Sequence, residues 1–491
     1  MSSDQPEMTA QEKTQRIGLF LGPILALGMY ALGAPDGLSQ EGWIVACLTI
    51  LMAVWWVSEA IPIPVTALLP LVILPATNVM PISEAAVGYA NRVVILLMGG
   101  FIIAKSVERW NLHTRIALNI VARAGSNPAA LVGGFMLASA ILSMWISNTA
   151  TTIMLAPIAL SVARSVLGDD MDAPFTLAIL LAIPYGASIG GLGTPVGTPT
   201  NLIVISYLED QFGLSIGFDQ WMMLGLPVVA VMLPAAWLVL TRWGLKIETV
   251  SGAAGAATVR ERLTGLGRMS TPEFRVLVCF LLVASFWMFR RPLNNLELFG
   301  VQPFAGFTDH VIAIAGAILM FLVPSGDKKK RGALLDWQTA EQIPWGVLLL
   351  FGGGLSLASA ISGTGLAAWL GDQMGGVATL PLILIMLILV VFVIFATELT
   401  SNVATVSALL PVIGAIATVG EMNPLLLAAP AAMAASCAFM LPIATGPNAI
   451  VFATGHVPIR KMAAVGFRLN ALGIVLITLA VYLIAPRIFG S

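Results

Sequence analysis

The sequence predicts an all-α polytopic membrane protein of about eleven transmembrane helices, built as two inverted-topology repeats. Three observations predict it. Of 491 residues, 58% are hydrophobic and only 10% are charged, where a soluble domain carries about 25% charged residues, and the mean hydropathy is +0.93. The uncharged stretches have the length of one or two membrane spans. Polar motifs recur in order, at a nearly constant offset, in the two halves. This composition excludes an ordinary soluble enzyme, a nucleic-acid binder and a disordered chain, and a net charge of −1 leaves no basic arm or acidic tail.

Taken in order, the uncharged stretches run over 17–35, 42–58, 60–83, 93–104, 124–163, 173–208, 220–241, 276–289, 311–326, 342–371, 373–397, 399–420, 422–459 and 469–486. A span needs about 20 residues, so 124–163 and 173–208 each hold two spans' worth of helix at the 1.5 Å rise. Each is interrupted, the first by Ser147-Asn148-Thr149 and the second between Gly190 and Asn201. The polar first 16 residues carry both charge signs and predict a tail with no cleavable signal peptide. The largest polar loop, 242–275, carries Arg242, Lys246, Arg260, Arg262, Arg268 and Arg275 around a small-residue middle, Ser251 to Thr258, expected to be flexible. With Lys328-Lys329-Lys330-Arg331, Lys105, Arg109, Arg115, Arg460 and Lys461 it is placed in the cytoplasm by the positive-inside rule. The 34–43 loop has no Lys or Arg and goes outside. That gives an N-terminus inside and a C-terminus outside, with Arg290 and Arg291 falling outside against the rule.

The halves repeat. Leu96-Leu97-Met98-Gly99-Gly100 matches Leu349-Leu350-Phe351-Gly352-Gly353 at an offset of 253. Ser147-Asn148-Thr149-Ala150-Thr151 with Pro157 matches Ser401-Asn402-Val403-Ala404-Thr405 with Pro411 at 254, and the segment from Gly197 to Val204 matches Ala444 to Val451 at 247. Counting spans, the first Ser-Asn segment enters from inside and its copy from outside. Inverted repeats of this kind are the architecture of secondary transporters, in which interrupted hydrophobic segments in matching positions mark the binding site.

Ser and Asn are preferred helix N-caps. A helix that begins at depth presents unpaired backbone N–H groups, which an anion accepts with help from the helix dipole. Two such ends, at Ser147-Asn148 and Ser401-Asn402, would hold the two ends of a small dianion; the plainer alternative is a polar turn at the membrane surface. Gly and Pro between Gly193 and Asn201, and between Pro442 and Asn448, free carbonyl oxygens in mid-span. Those carbonyls, with Ser and Asn oxygens, suit a hard cation such as Na⁺, against the alternative of simple proline kinks.

Few charged groups fall within the spans. Glu398, three residues before Ser401, is either a proton carrier or a structural partner of a backbone N–H or of a basic residue such as Arg468. Glu59 is better placed as a helix end. Gly186-Ala187-Ser188-Ile189-Gly190 matches a nucleophile-elbow pattern but lacks its strand–turn–helix setting. Cys47, Cys279 and Cys437 read as buried small hydrophobes, and His113, His310 and His456 are too scattered for a metal site.

Met52 to Pro70, the two Ser-Asn motifs and Ser436 to Gly455 together resemble the divalent anion:sodium symporter family, a likeness running from about residue 17 to 486. The resemblance implies a homodimeric elevator with two re-entrant hairpins, and a division into a cytoplasmic tail (1–16), a scaffold part of repeat 1 (17–124), its transport part (125–241, hairpin 125–165), a cytoplasmic linker (242–274), a scaffold part of repeat 2 (275–372) and its transport part (373–491, hairpin 375–420). It implies one Na⁺ site at Ser143, Ser147, Asn148 and Gly197 and another at Thr397, Thr400, Asn402 and Ala444. Substrate carboxylates would meet Ser147, Asn148, Thr149, Thr198, Ser401, Asn402 and Thr445. Val403 stands where many members carry Thr, and Gly446 where Thr-Pro-Pro-Asn is usual. No Lys, Arg or His occupies the named positions, which favours cation coupling. The expected function is therefore Na⁺-driven symport of C4-dicarboxylates such as succinate, malate or fumarate across the inner (plasma) membrane, with no cofactor and no enzymatic step. Proton-coupled or exchange transport of dicarboxylate, citrate or sulfate, and an anion channel, are the alternatives.

Overall fold

A computed structural model describes residues 10–168, 170–245, 247, 251–297, 299–327, 331–373, 376 and 380–490. Regular structure among them is helical, apart from one isolated bridge between Pro324 and Ala333. Ten of the described helices are long and apolar enough to cross a membrane. Shorter apolar helices accompany them, among them Pro128–Ser143, Leu382–Thr397 and Leu425–Ala435.

Burial sorts the helices into a rim and a centre. Ala10–Leu32 turns Ile17, Phe20, Ile24 and Leu27 outward, as a lipid-facing helix does. By contrast, every residue from Phe175 to Gly191 of Pro174–Gly191 is buried. This central helix lies directly on Pro128–Ser143 because glycines remove the side chains between them. A Cβ on Gly186 would come within 2.5 Å of the Met136 carbonyl oxygen, and one on Gly190 within 2.2 Å of that of Ala140. Spacing small residues four apart is how membrane helices approach closely. That packing, not a nucleophile elbow, explains the Gly-x-Ser-x-Gly pattern, and Ser188 lies buried inside the helix. In the second half the wholly buried Leu425–Ala435 takes the central place beside Leu382–Thr397.

The expected flexible middle of the 242–275 loop is corrected: residues Ala253–Gly265 form a helix. Its four alanines are strong helix formers, and Gly255 lets it lie on the helix Asn148–Leu167, where an added Cβ would meet Val166 at 2.7 Å and Val162 at 2.9 Å. Arg115 then fastens the far end of the linker. Its guanidinium donates to both oxygens of Glu273 (3.0 and 3.2 Å) and to the carbonyls of Leu266, Gly267 and Arg268. Arg290 and Arg291, placed outside against the positive-inside rule, are paired with Asp309 (2.8 Å) and Asp219 (3.4 Å). Lys246, Lys328, Lys329, Lys330 and the predicted start of the second hairpin at residue 375 lie outside the described residues. The three cysteines are buried and unbridged.

Candidate functional site

Both predicted hairpins are helix–turn–helix units with the Ser-Asn motif at the turn. Pro128–Ser143 is followed by Asn148–Leu167, and Leu382–Thr397 by Asn402–Val419. In the first, Ser147 is the N-cap and its hydroxyl accepts from the Ala150 N–H at 3.5 Å. Ser401 is the N-cap of the second and makes no side-chain cap bond.

The hairpin turns are built alike. Ser143 Oγ donates to Asn148 Oδ1 at 2.7 Å, and 254 residues on Thr397 Oγ1 donates to Asn402 Oδ1. Each asparagine is thus held by a buried hydroxyl five residues before it. Gly197 joins the first group: a Cβ on Gly191 would lie 3.0 Å from the Gly197 carbonyl oxygen and 3.5 Å from Asn148 Oδ1, so both oxygens border one small space. Ser143, Gly197, Thr397 and Ala444 are buried. Around the second turn Thr400 Oγ1 meets Thr405 Oγ1 and donates to the Ala396 carbonyl, while Thr405 donates to that of Ser401.

The residues assigned to substrate are wetter. Ser147 is exposed, and Asn148, Thr149, Ser401, Asn402 and Thr445 are half-buried; Thr198 is buried and its hydroxyl contacts Thr200, which in turn reaches Ser436 at 3.3 Å. The two halves meet here. Helix Gly446–Phe452 packs on Asn148–Leu167, and a Cβ on Gly446 would stand 3.0 Å from Thr149 Oγ1. The N-terminus of a second-half helix is therefore set against the N-terminus of a first-half helix. Aligned N–H groups at such ends favour an anion.

Glu398 ends the first helix of the second hairpin, and it is 3% exposed. Oε1 accepts from Phe439 N (2.8 Å), Met440 N (2.9 Å) and Asn470 Nδ2 (2.7 Å), and Oε2 from Leu441 N (3.0 Å). Three of its four partners are backbone N–H groups, as one of the two structural readings expected, and the fourth is the Asn470 side-chain amide. Arg468 is not among them: it is exposed and donates to the Ala464 carbonyl one turn back. Glu59 caps a helix in the left-handed region at φ 49 and is exposed. Among the described residues no cluster of His, Cys, Asp and Glu can hold a metal ion, and no basic side chain is bonded to a predicted site residue. Neutral oxygens at broken helices are the donor set that coordinates Na⁺ in transporters.

Two residues escaped the reading of site positions. Asn201 Nδ2 donates to the carbonyls of Gly191 and Thr194, and Asn448 Nδ2 to those of Ala438 and Leu441. The signal was present, since both asparagines lie in the segment that repeats at 247.

A helical membrane bundle whose polar site is made of interrupted helices is a secondary transporter. The chain belongs to the sodium:sulfate symporter family, whose transmembrane-region model matches residues 13–487, and the family resemblance of the motifs is thereby borne out. It is 41% identical to the sodium-dependent dicarboxylate transporter SdcS of Staphylococcus saprophyticus, over 99% of this chain and 95% of that one. In fold it is similar to the Neisseria gonorrhoeae MtrF structure (TM-score 0.59, 10% identity, 97% of this chain and 95% of that one) and to the Alcanivorax borkumensis YdaH transporter (TM-score 0.53, 17% identity, 80% and 86%).

Proposed function

We propose that this protein is a Na⁺-coupled symporter of C4-dicarboxylates. The observation that carries the proposal is the pair of hydroxyl–asparagine turns, Ser143–Asn148 and Thr397–Asn402, in a site without a fixed positive side chain. A dianion entering such a site needs compensating charge, and co-bound Na⁺ supplies it. One ion is assigned to Ser143, Ser147, Asn148 and Gly197, the other to Thr397, Thr400, Asn402 and Ala444. The carboxylates are assigned to Ser147, Asn148, Thr149, Thr198, Ser401, Asn402 and Thr445. The name of the SdcS relative supports the dicarboxylate and the sodium.

The hairpins, with the broken helices behind them, form the moving part of a homodimeric elevator, and the remaining helices form the scaffold. Symport of more than two Na⁺ with a dianion is electrogenic, and each net charge moved through 100 mV is worth about 2.3 kcal/mol. Proton coupling through Glu398 is the weaker reading, because both carboxylate oxygens are already occupied by donors.

The test is uptake of radiolabelled succinate into proteoliposomes under an inward Na⁺ gradient, with K⁺ as control. Uptake only with Na⁺ is the expected result. Equal uptake in K⁺ would overturn the cation assignment and point to exchange or proton coupling. No uptake in either would move the substrate to sulfate or citrate, in keeping with Val403 and Gly446.

A further inference from the structure

Asn201 and Asn448 are fully buried, and each is wired identically. The Nδ2 of Asn201 bonds the carbonyls ten and seven residues back, at 3.0 and 2.8 Å; that of Asn448 bonds the carbonyls at the same two spacings, at 2.9 and 3.0 Å. This fixes the amides, because turning either one over would set its oxygen against two carbonyl oxygens. Both Oδ1 atoms are consequently buried acceptors, and neither has a hydrogen-bond partner among the described residues. A buried unpaired acceptor is costly, and few survive in folded proteins without a reason. Here the same one occurs twice, 247 residues apart. The loop clamped by Asn201 also carries Gly197, whose carbonyl borders the same small space as Asn148 Oδ1. The loop clamped by Asn448 carries Ala444.

We propose that Asn201 and Asn448 are alkali-cation residues: in each half the side chain ties the broken-helix loop with its Nδ2 and offers Oδ1 to the ion bound there. The inference rests on the Na⁺-coupled reading above and adds one oxygen to each of its two sites. An amide oxygen is a hard, neutral ligand of the same kind as the carbonyls freed at these breaks. It brings no charge, so the balance between two or more Na⁺ and a dianion is unchanged.

The experiment compares wild type with Asn201→Ala and Asn201→Asp, and with the same changes at Asn448, in Na⁺-driven succinate uptake and in the Na⁺-induced thermal shift of purified protein without substrate. The Asp variants keep Oδ1 but set a second, charged oxygen against the two carbonyls, so they lose the clamp and keep the cation ligand; the Ala variants lose both. Loss of a group supporting a metal site costs roughly 10–100-fold in affinity. The Ala variants are expected to raise Na⁺ half-saturation by about that factor in both assays, and the Asp variants to lie nearer wild type. A wild-type half-saturation in the Ala variants, with only lower activity or melting temperature, would overturn the proposal. So would equal defects in Ala and Asp, which would make the residues clamps alone. If the Ala variants do not fold, Asn201→Gln keeps both groups and moves the oxygen by one carbon. A changed Li⁺/Na⁺ preference then supports the proposal and an unchanged one overturns it. Na⁺-independent wild-type uptake with no Na⁺ thermal shift would refute the coupled reading itself, whereas unaffected variants of a Na⁺-dependent wild type refute only this inference.

Discussion

Replacing Glu398 by Gln removes one oxygen of a carboxylate that takes four donors. If Nε2 takes the place of Oε2, the Leu441 N–H faces an N–H₂ group and its bond is lost. Hydrogen bonds to charged groups are worth about 1.5–3 kcal/mol and neutral ones about 0.5–1.5, so one bond lost and three weakened by about 1 kcal/mol each come to about 4.5–6 kcal/mol. The affected segment, Phe439 to Leu441, leads into Ala444, so the second Na⁺ site should loosen with it. The assay is the melting midpoint of the purified variant together with its Na⁺-driven uptake between pH 6 and pH 8. The expected result is a fall in the midpoint of several degrees and a weakened Na⁺ dependence, with the pH profile unchanged in shape. A variant with wild-type stability that had lost a pH-dependent component of uptake would refute the structural role and make Glu398 a proton carrier.

Asn148→Ala and Asn402→Ala should each abolish Na⁺-dependent uptake in protein that still reaches the membrane, as judged by surface expression; normal uptake in either would sink the site assignment. Gly191→Ala places a Cβ 3.0 Å from the Gly197 oxygen and 3.5 Å from Asn148 Oδ1, so Na⁺ half-saturation should rise about tenfold or more, as for other disturbed metal shells. Gly446→Ala sets a methyl 3.0 Å from Thr149 Oγ1 and should raise the KM for succinate at fixed Na⁺; an unchanged KM would remove this contact from the substrate cleft. Arg115→Ala leaves Glu273 without its buried partner, a loss of about 3–5 kcal/mol for pairs of this kind, read as a lower melting midpoint and as protease cleavage in the linker 242–274.

Which parts were legible in the sequence follows from how local their chemistry is. The hairpin turns could be read because a helix N-cap is written in adjacent residues, and Ser147-Asn148 and Ser401-Asn402 are written twice. The partners of Glu398 could not be named residue by residue, because three donors are backbone N–H groups freed only where the distant segment 437–441 leaves helical bonding, and the fourth, the Asn470 amide, lies 72 residues away. The linker helix was hidden for a different reason. Gly255 and its alanines look like flexible chain, but their lack of bulk serves contact with Val162 and Val166. Arg290 and Arg291, expected outside against the charge rule, pair with Asp309 and Asp219, partners that the charge count of a loop does not reveal. Asn201 and Asn448 stood in a recognised repeat, yet a side chain that bonds carbonyls ten residues back leaves no local mark beyond its recurrence.

The contact between Thr149 and Gly446 has a consequence for biogenesis. The two residues are 297 positions apart in the chain, and synthesis at about 5–20 residues per second separates their emergence by roughly 15–60 s. Throughout that interval the polar start of the helix Asn148–Leu167 lacks the cover that the later segment provides. That site is complete only when the last tenth of the chain has been made, so a chain truncated between the two halves would carry the first turn without its cover.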